Sequence, residues 1–498
     1  GTQLTMRTFH SGGVAGGEKK VHEFTTLNSA TIDINKNWNV VANNSFSFYI
    51  ADDWYRSAVA KYSIEPGILA PVPNFNTDQL KKTFWYDPMM VTNLFTSYNK
   101  TLGKHYVSAT LGMNHESKKH ERLFGARKDL LSESLNDLNL GTGEQLTQGD
   151  SYQYSLFGAF FRVNYDYLGK YLFEVNGRYD GTSRFGEGRR YGFFPSFSAG
   201  WRISEEKFFD DARSVVNNLK LRASYGTLGN QLPSNTNSSS FYPYISSMST
   251  SLSNWMSGGQ KLNYVSSPNP ISPTLTWEKA TTSNIGLDVD VFKSKLSVAF
   301  DAYIRNTTDM LVPGQVLPAV YGASVPTQNA GDLQTKGFEL SIAWRDQFKL
   351  AGKPFSYNAT FLISDSKSKI TKYDNPNQIL SSYYVGQTIG EMWGYSLDGY
   401  FKTDEEARAY TVDQSIVNKQ RLAAAGEWSK LYAGDIKFID VNGDGKISQG
   451  ANTLKDHGDL KIVGNSRARY RYGLNLGASW NNFDFSSLIQ GIMRKNWY

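Results

Sequence analysis

The chain has 498 residues and a formal net charge of +6, with 52 Lys and Arg against 46 Asp and Glu. Aromatic residues make up 14% of it, a composition that excludes intrinsic disorder. The absence of cysteine excludes a disulfide scaffold, a cysteine-ligated zinc site and a catalytic thiol. No apolar run approaches the ~18 residues that a membrane-spanning helix requires. The basic residues are spread along the chain and do not indicate nucleic acid as a partner.

Fourteen segments alternate between apolar and polar residues with the period of two that is typical of β-strands. In one of them, for example, Leu340 and Ile342 flank Ser341. The sequence therefore predicts an all-β fold. The predicted strands cover residues 22–33, 39–52, 91–100, 105–116, 156–167, 171–182, 193–203, 217–228, 278–292, 296–310, 335–346, 355–368, 469–480 and 483–492.

The connections between these strands alternate between short and long. Short links include 102–104, 168–170, 293–295 and 481–482, and the long links are about 53–90, 117–155, 183–192, 229–277, 311–334 and 369–468. This regular alternation is typical of an up-and-down transmembrane antiparallel β-barrel with tight periplasmic turns and long extracellular loops. Strands of ~10–13 residues also suit a tilted membrane crossing. The alternative is a soluble β-sandwich or solenoid, which shows the same alternation with its polar face in water.

The longest loop, residues 369–468, is predicted to contain a short helix and a calcium-type loop. Thr403 followed by Glu406 is the signature of a helix N-cap with a capping box, and we expect the helix to continue to about Ala425.

The sharpest motif is DVNGDGKI, which begins at Asp440. Oxygen-bearing side chains at its first, third and fifth positions, a glycine at the sixth and a carbonyl at the seventh match half of an EF-hand loop. The twelfth position is Ala451, so the missing carboxylate would come from Asp459, or alternatively from Asp435 or Asp456. We predict a structural calcium or magnesium ion here; the alternative is a tight turn whose carboxylates face water. The predicted ligands are Asp440, Asn442, Asp444, Lys446 and Asp459.

The sequence matches none of the common catalytic motifs, and it therefore predicts that the protein is not an enzyme. His115-Glu116 is followed by His120, one residue too far for a zinc helix, and the segment ends a predicted strand. There is no Walker A motif and no G-x-S-x-G elbow. Four charged residues on predicted strands are interpreted as parts of a charged lumen lattice: Arg162, Glu174, Arg178 and Asp288.

A set of short strings, in order along residues 91–498, resembles the SusC/RagA family of TonB-dependent outer-membrane transporters. The strings are RYDGTSRF (178–185), FPS and AGWR (194–202), LRASYG and GNQ (221–231), WEK and NIGLD (277–288), KGFE (336–339), WGY (393–395), GD with the loop after it (434–445) and GNS (464–466).

The resemblance implies a barrel of 22 strands, an N-terminal plug with a TonB-contacting segment, and a SusD-like surface lipoprotein that acts as a lid. It implies active import of oligosaccharides or peptides across the bacterial outer membrane, driven through the TonB complex. We expect this chain, 1–498, to be a partial barrel, since only fourteen of the 22 strands are visible. We also expect it to lack the plug, since no plug or TonB-contacting segment precedes Gly1 in the sequence. The alternatives are a siderophore or cobalamin receptor of the same kind and, from another class, a surface adhesin or binding protein.

Within this reading, strand residues divide between lipid and lumen. Those expected to face lipid are Phe161, Val289, Leu340 and Leu474. Those expected to line the lumen are Arg178, Glu174 and Arg222. Substrate-binding residues are not predicted, because loop aromatics suit cargo stacking and loop packing equally; these aromatics are Phe241, Tyr242, Tyr244, Tyr383 and Tyr384.

Overall fold

The computed structural model describes residues 16–59, 61–71, 78–132, 134–231, 242–272, 274–314, 325–417 and 431–497. Two compact units make up the chain. One unit comprises the residues up to Asn99 together with Ala109–Phe161 and Arg178–Arg184. The other comprises Lys100–Ser108, Arg162–Gly177 and the chain from Phe185 onward.

Strands dominate the described chain. The strands are β1 (Gly16–Asn35), β2 (Trp38–Ser57), β3 (Lys61–Glu65), β4 (Ile68–Pro71), β5 (Gln79–Leu102), β6 (His105–Lys128), β7 (Gln145–Tyr167), β8 (Tyr171–Thr182), β9 (Tyr191–Arg202), β10 (Val216–Asn230), β11 (Thr250–Ser257), β12 (Gln260–Val265), β13 (Glu278–Val291), β14 (Leu296–Pro313), β15 (Thr327–Leu350), β16 (Lys353–Lys372), β17 (Glu391–Tyr395), β18 (Leu397–Tyr400), β19 (Ile436–Phe438), β20 (Leu460–Asn465), β21 (Arg469–Trp480) and β22 (Phe483–Arg494). The helices are α1 (Asp404–Ala409) and three 3₁₀ helices, Leu138–Leu140, Ile203–Glu205 and Lys207–Ser214.

Fourteen of these strands form one sheet, and they lie side by side in chain order: β1, β2, β5, β6, β7, β8, β9, β10, β13, β14, β15, β16, β21 and β22. Each corresponds to one of the fourteen predicted strands, so the all-β prediction is confirmed. Several strands are longer than predicted. The clearest cases are β5 and β6, with 24 residues each, which extend well into the segments predicted as long loops.

The pairing register of the larger unit shows why the sequence alternates. Residues that pair across strands share a face of the sheet. One row across β10, β13, β14, β15, β16 and β21 is apolar: Leu221, Leu287, Phe300, Leu340, Ile363 and Tyr472. The adjacent row on the other side of the same strands is mostly polar: Arg222, Gly286, Asp301, Glu339, Ser364 and Arg471. These rows define the apolar face and the polar face of the sheet.

A small aromatic core in the larger unit joins β9 and β14 of the sheet to residues of two links. Phe185, Phe194, Leu275, Trp277 and Leu311 are all buried and form one cluster. The Trp277 ring lies edge-on to the other two aromatic rings, with centroid distances of 5.7 and 5.3 Å. Its indole N–H donates to the Arg190 carbonyl at 3.0 Å, so the polar atom of this buried ring has a partner.

The segment between β16 and β21, residues 373–468, is built from small pieces. β17 pairs with β20, and β18 pairs with β19. The predicted N-cap is confirmed, since Thr403 Oγ1 accepts the Glu406 N–H at 3.2 Å. The predicted extension of this helix to Ala425 is wrong, because α1 ends at Ala409. Tyr410 leaves the helical conformation, packs on the Phe401 ring and donates its hydroxyl to the Phe438 carbonyl. Residues 418–430 lie outside the described residues.

Among the described residues, no helix combines the length and the apolar composition needed to cross a membrane.

Candidate functional site

The polar face carries a network of ion pairs in the larger unit. Arg222 donates to Asp288 through two nitrogens, at 2.8 and 2.9 Å, and to Asp301 through two more contacts of 3.0 Å. Asn284 also donates to Asp301 at 2.8 Å. One guanidinium is thus shared by two carboxylates on neighbouring strands, which fixes the register of β10, β13 and β14.

The other charged residues predicted for a lumen lattice are paired in the same manner. Arg162 donates to Asn176 at 2.8 Å and lies 3.9 Å from a Glu174 oxygen. Arg178 donates to Asp180 at 2.7 Å, and its guanidinium lies over the Phe160 ring. The predicted charged residues are therefore paired, and their place in a lumen stays a prediction.

The smaller unit has its own polar cluster on β5, β6 and β7. His120 Nδ1 lies 2.6 Å from Asp87, its Nε2 lies 3.6 Å from Asp150, and its ring stacks on Tyr152 at 4.6 Å. His115 contacts Ser155 instead, at 3.0 Å. Both histidines are on a strand, which agrees with the rejection of a zinc helix.

The DVNGDGKI loop is held by its own side chains. Asp440 accepts the N–H groups of Gly443 and Gly445, at 2.7 and 2.8 Å. Asn442 accepts the Asp444 N–H at 3.1 Å. The two glycines have φ values of +74° and +82°, the left-handed region that glycine adopts at low cost. The sharp turn predicted from the sequence is therefore present, with its first-, third- and fifth-position side chains folded back on the loop.

Asp459 is the buried anchor of this loop. Its side chain has no solvent exposure. One carboxylate oxygen accepts the Val441 N–H at 2.7 Å, and the other accepts the Ser448 N–H at 2.7 Å. Because both oxygens already have amide donors, this carboxylate joins the two ends of the loop whether or not an ion is bound.

Two contacts not foreseen from the sequence fasten the loop to the rest of the segment. Asp413 exchanges backbone hydrogen bonds with Gly445 and Ile447, forming a short parallel bridge. Gln414 is buried, donates to the Ile436 carbonyl at 2.7 Å and accepts the Phe438 N–H. The apolar residue at the eighth position, Ile447, marks where such a bridge can form, but no spacing in the sequence identifies Asp413 as its partner.

The predicted ion ligands fit a cation only in part. In the described chain, no three His, Cys, Asp or Glu side chains gather as they would around a metal ion. The loop itself offers two carboxylates, Asp440 and Asp444, with the Asn442 amide oxygen. Of the alternative ligands, Asp435 is buried and accepts the Tyr432 N–H, and Asp456 is exposed. Metal binding stays a prediction.

The loop aromatics divide into packing and exposed groups. Tyr384 is buried, receives the Trp393 indole N–H and donates its hydroxyl to Glu391 at 2.9 Å. Burial raises the pKa of this phenol to about 12. Tyr384 is therefore a packing residue, whereas Tyr383 is largely exposed. Phe241 lies outside the described residues.

The family model of the TonB dependent receptor-like β-barrel matches residues 7–488. The chain belongs to this family. It is 28% identical over 406 residues to the TonB-dependent receptor SusC of Bacteroides thetaiotaomicron, and 30% identical over 432 residues to the TonB-dependent receptor P39 of Formosa agariphila. These matches cover 80% and 79% of the chain but 38% of each relative, so the chain spans less than half the length of these curated relatives.

Among solved structures, the structure of the RagAB peptide transporter aligns with 96% of this chain, and the aligned part is 48% of the matched chain in that structure. The TM-score is 0.73 and the sequence identity is 19%. The chain therefore has the strand arrangement of a TonB-dependent receptor barrel. This family membership places it in the outer membrane, which confirms the predicted localisation and the predicted resemblance.

Proposed function

We propose that the protein containing this barrel segment actively imports oligosaccharides or peptides across the outer membrane, with energy supplied through TonB. The observation that carries the proposal is a 14-stranded sheet with an apolar face and an ion-paired polar face, in a chain that belongs to the TonB-dependent receptors. The apolar face suits lipid, and the polar face suits a hydrated lumen. The similarity to SusC and to the RagAB peptide transporter favours these cargoes over siderophores or cobalamin.

We also propose a SusD-like lipoprotein as the partner that covers the lumen. Two long links of the larger unit, residues 231–277 and 373–468, leave the sheet at the same ends of its strands by parity and would provide a surface for the lid. The TonB complex would act through parts of the protein other than this segment. No covalent chemistry is proposed, since polar-face carboxylates such as Asp288 and Asp301 are engaged in ion pairs.

The DVNGDGKI loop is proposed to bind a calcium or magnesium ion that stiffens residues 373–468. Its support is the side-chain order of the loop and the exposure of Asn442 and Asp444. With two carboxylates in the loop, the site would resemble a low-affinity extracellular calcium module more than a sensor.

The test is purification of the full-length protein from outer membranes in mild detergent, followed by mass spectrometry and by uptake of labelled oligomers in cells with and without TonB. A stoichiometric lipoprotein and TonB-dependent uptake are expected. A protein without a partner, and uptake that is the same without TonB, would contradict the proposal.

A further inference from the structure

A cavity of about 460 Å³ opens on the polar face where β14, β15, β16 and β21 reach the long segment 373–468. This volume lies within the range of small-molecule sites. The polar-face side chains that line it are Tyr303, Glu339, Ser364, Ser366, Ser368 and Arg471.

Hydrogen bonds fix the wall that the long segment 373–468 contributes to this cavity. The Ile389 N–H donates to the Ser368 carbonyl at 2.9 Å, and the Ser466 N–H donates to the Gly390 carbonyl at 2.9 Å. Asn465 donates its side-chain amide to the Ile389 carbonyl at 3.2 Å. Gly390 has a φ of +87°, and a Cβ there would lie 2.7 Å from the Arg467 side chain, so glycine is required at this turn.

Charge in the cavity is unbalanced. Three arginines line it, Arg467, Arg469 and Arg471, against two carboxylates, Asp365 and Glu339. The difference, three minus two, is a net charge of +1. Lys367 also borders the cavity, but it pairs with Lys336 and so occupies an apolar-face position of β16.

Only one of the cavity's arginines is neutralised. Arg469 binds Asp365 with both ends of its guanidinium. The guanidinium groups of Arg467 and Arg471 make no ion pair or hydrogen bond with any residue that the structure describes. Glu339 on β15 and Arg471 on β21 are separated by Ser364 on β16. At the usual strand spacing, their backbones are about 9.5 Å apart.

We propose that this cavity binds a carboxylate group of the imported oligomer, through Arg467 and Arg471. A guanidinium fork matches a carboxylate in two parallel hydrogen bonds, and the hydroxyl of Ser364 or Ser366 can donate to a ring or peptide oxygen beside it. Glu339 disfavours a second carboxylate at the far wall. The preferred cargo is therefore acidic, either a uronic-acid oligosaccharide or an acidic peptide. This inference rests on the proposed import function.

The test measures binding to the full-length protein, with whatever lipoprotein co-purifies, by titration calorimetry. The probes are trigalacturonate and its neutral counterpart galactotriose, and a glutamate-rich pentapeptide and its glutamine counterpart. One acidic probe is expected to bind at least about tenfold more tightly than its neutral counterpart, and to weaken as NaCl is raised. Binding of trigalacturonate would show that the carboxylate belongs to a sugar, and binding of the glutamate-rich peptide would show that it belongs to a peptide.

The double variant Arg467→Gln, Arg471→Gln should lower the affinity for that acidic probe by about tenfold or more. Arg494→Gln is the matched control, because Arg494 lies on the neighbouring strand outside the cavity lining and its loss should change nothing. Glu339→Gln should tighten binding.

Equal binding of acidic and neutral probes, binding of none of them, or equal losses in the double variant and the control would overturn the inference. The proposed function fails separately, when labelled oligomers are not taken up by TonB-containing cells. Uptake that persists unchanged in the double variant would refute the carboxylate site and leave the import function standing.

Discussion

At the scale of single residues, the strongest expectation concerns the buried carboxylate of Asp459. We expect Asp459→Asn to destabilise the DVNGDGKI loop by about 2 kcal/mol. The amide can accept one backbone N–H, but its own NH₂ group would face the other donor, at Val441 or Ser448. Trypsin cleavage after Lys446 in the otherwise native protein measures the opening of the loop.

Asp374→Asn is the matched control, since Asp374 is exposed, lies in the same segment 373–468 and is not a predicted ion ligand. Its cleavage rate should stay at the wild-type value. Equal rates for both variants and the wild type would show that the carboxylate of Asp459 does not hold the loop.

The ion prediction is tested with the same cleavage. If the loop binds calcium, added calcium should slow trypsin cleavage after Lys446 and a chelator should accelerate it. The double variant Asp440→Asn, Asp444→Asn should lose this response. Cleavage that is identical with calcium and with chelator in the wild type would contradict ion binding, even if the double variant is cleaved faster.

The sequence identified this loop but not what anchors it. Asp440, Asn442 and Asp444 are close in the chain, so their spacing alone predicts a turn with two glycines. The sequence predicts Asp459 only as a replacement ligand, because its contacts with Val441 and Ser448 join residues that are 18 and 11 positions apart in the chain. No local sequence pattern predicts such a contact. The contacts of the buried Gln414 with Ile436 and Phe438 also join residues that are far apart in the chain and were not predictable either.

At the scale of elements, the alternation located all fourteen strands of the large sheet but not their ends. The alternation of apolar and polar residues marks a strand only where one of its faces is apolar. In β6 the residues from Ser117 to Arg122 are polar on both faces, so the strand continues without a signal. The predicted end of α1 is wrong because a tertiary contact, which the local sequence does not show, ends the helix: Tyr410 packs on Phe401 instead of continuing it.

The first turn of α1 provides a prediction about pH. The Lys402 N–H donates to Glu406 at 2.8 Å and lowers the pKa of that carboxyl. Because the folded-state pKa lies below the unfolded value of about 4.3, this contact stabilises the helix fully above that pH and is lost as the pH falls through the lowered pKa. Hydrogen-exchange protection of residues 402–409, corrected for the intrinsic rate, should therefore drop below about pH 4.

Glu406→Gln should show weaker protection at neutral pH and little further change on acidification. A wild-type protein whose protection near α1 is the same at pH 3 and pH 6 would contradict this assignment.

The aromatic core predicts a large effect from one substitution. Trp277→Ala removes a buried ring from between Phe185 and Phe194 and leaves the Arg190 carbonyl without its donor. We expect a loss of about 3–5 kcal/mol in the local stability of this core. Exchange protection of residues 275–280 measures it. Trp255→Ala is the control: that ring is 71% exposed on β11, and its loss should cost less than about 0.5 kcal/mol. Similar effects at both sites would exclude the cluster as a packed core.

At the scale of the whole molecule, the two faces of the sheet suit different surroundings, lipid on one side and water on the other. In the apolar row, Leu221 and Phe300 are 40% and 39% exposed, and the other four side chains are half-buried. Such exposure in a soluble sheet would promote aggregation, whereas in a bilayer it is the condition for insertion. Alternation predicts both faces but cannot tell lipid from a protein core. The alternation of link lengths and the family match resolve this. The proposed carboxylate site is different, because only the folded loop brings Arg467 to the sheet.

This division of faces gives a paired test at adjacent positions on β15. Leu340→Arg places a charge on the apolar face and should cost about 2–4 kcal/mol if that face meets the bilayer midplane. Ser341→Arg places the same charge on the polar face, where it meets water and should be tolerated. The amount of heat-modifiable, folded protein in outer membranes measures both. If Leu340→Arg assembles as well as Ser341→Arg, the apolar face does not contact lipid at this position, and the assignment of the two faces of β15 is wrong.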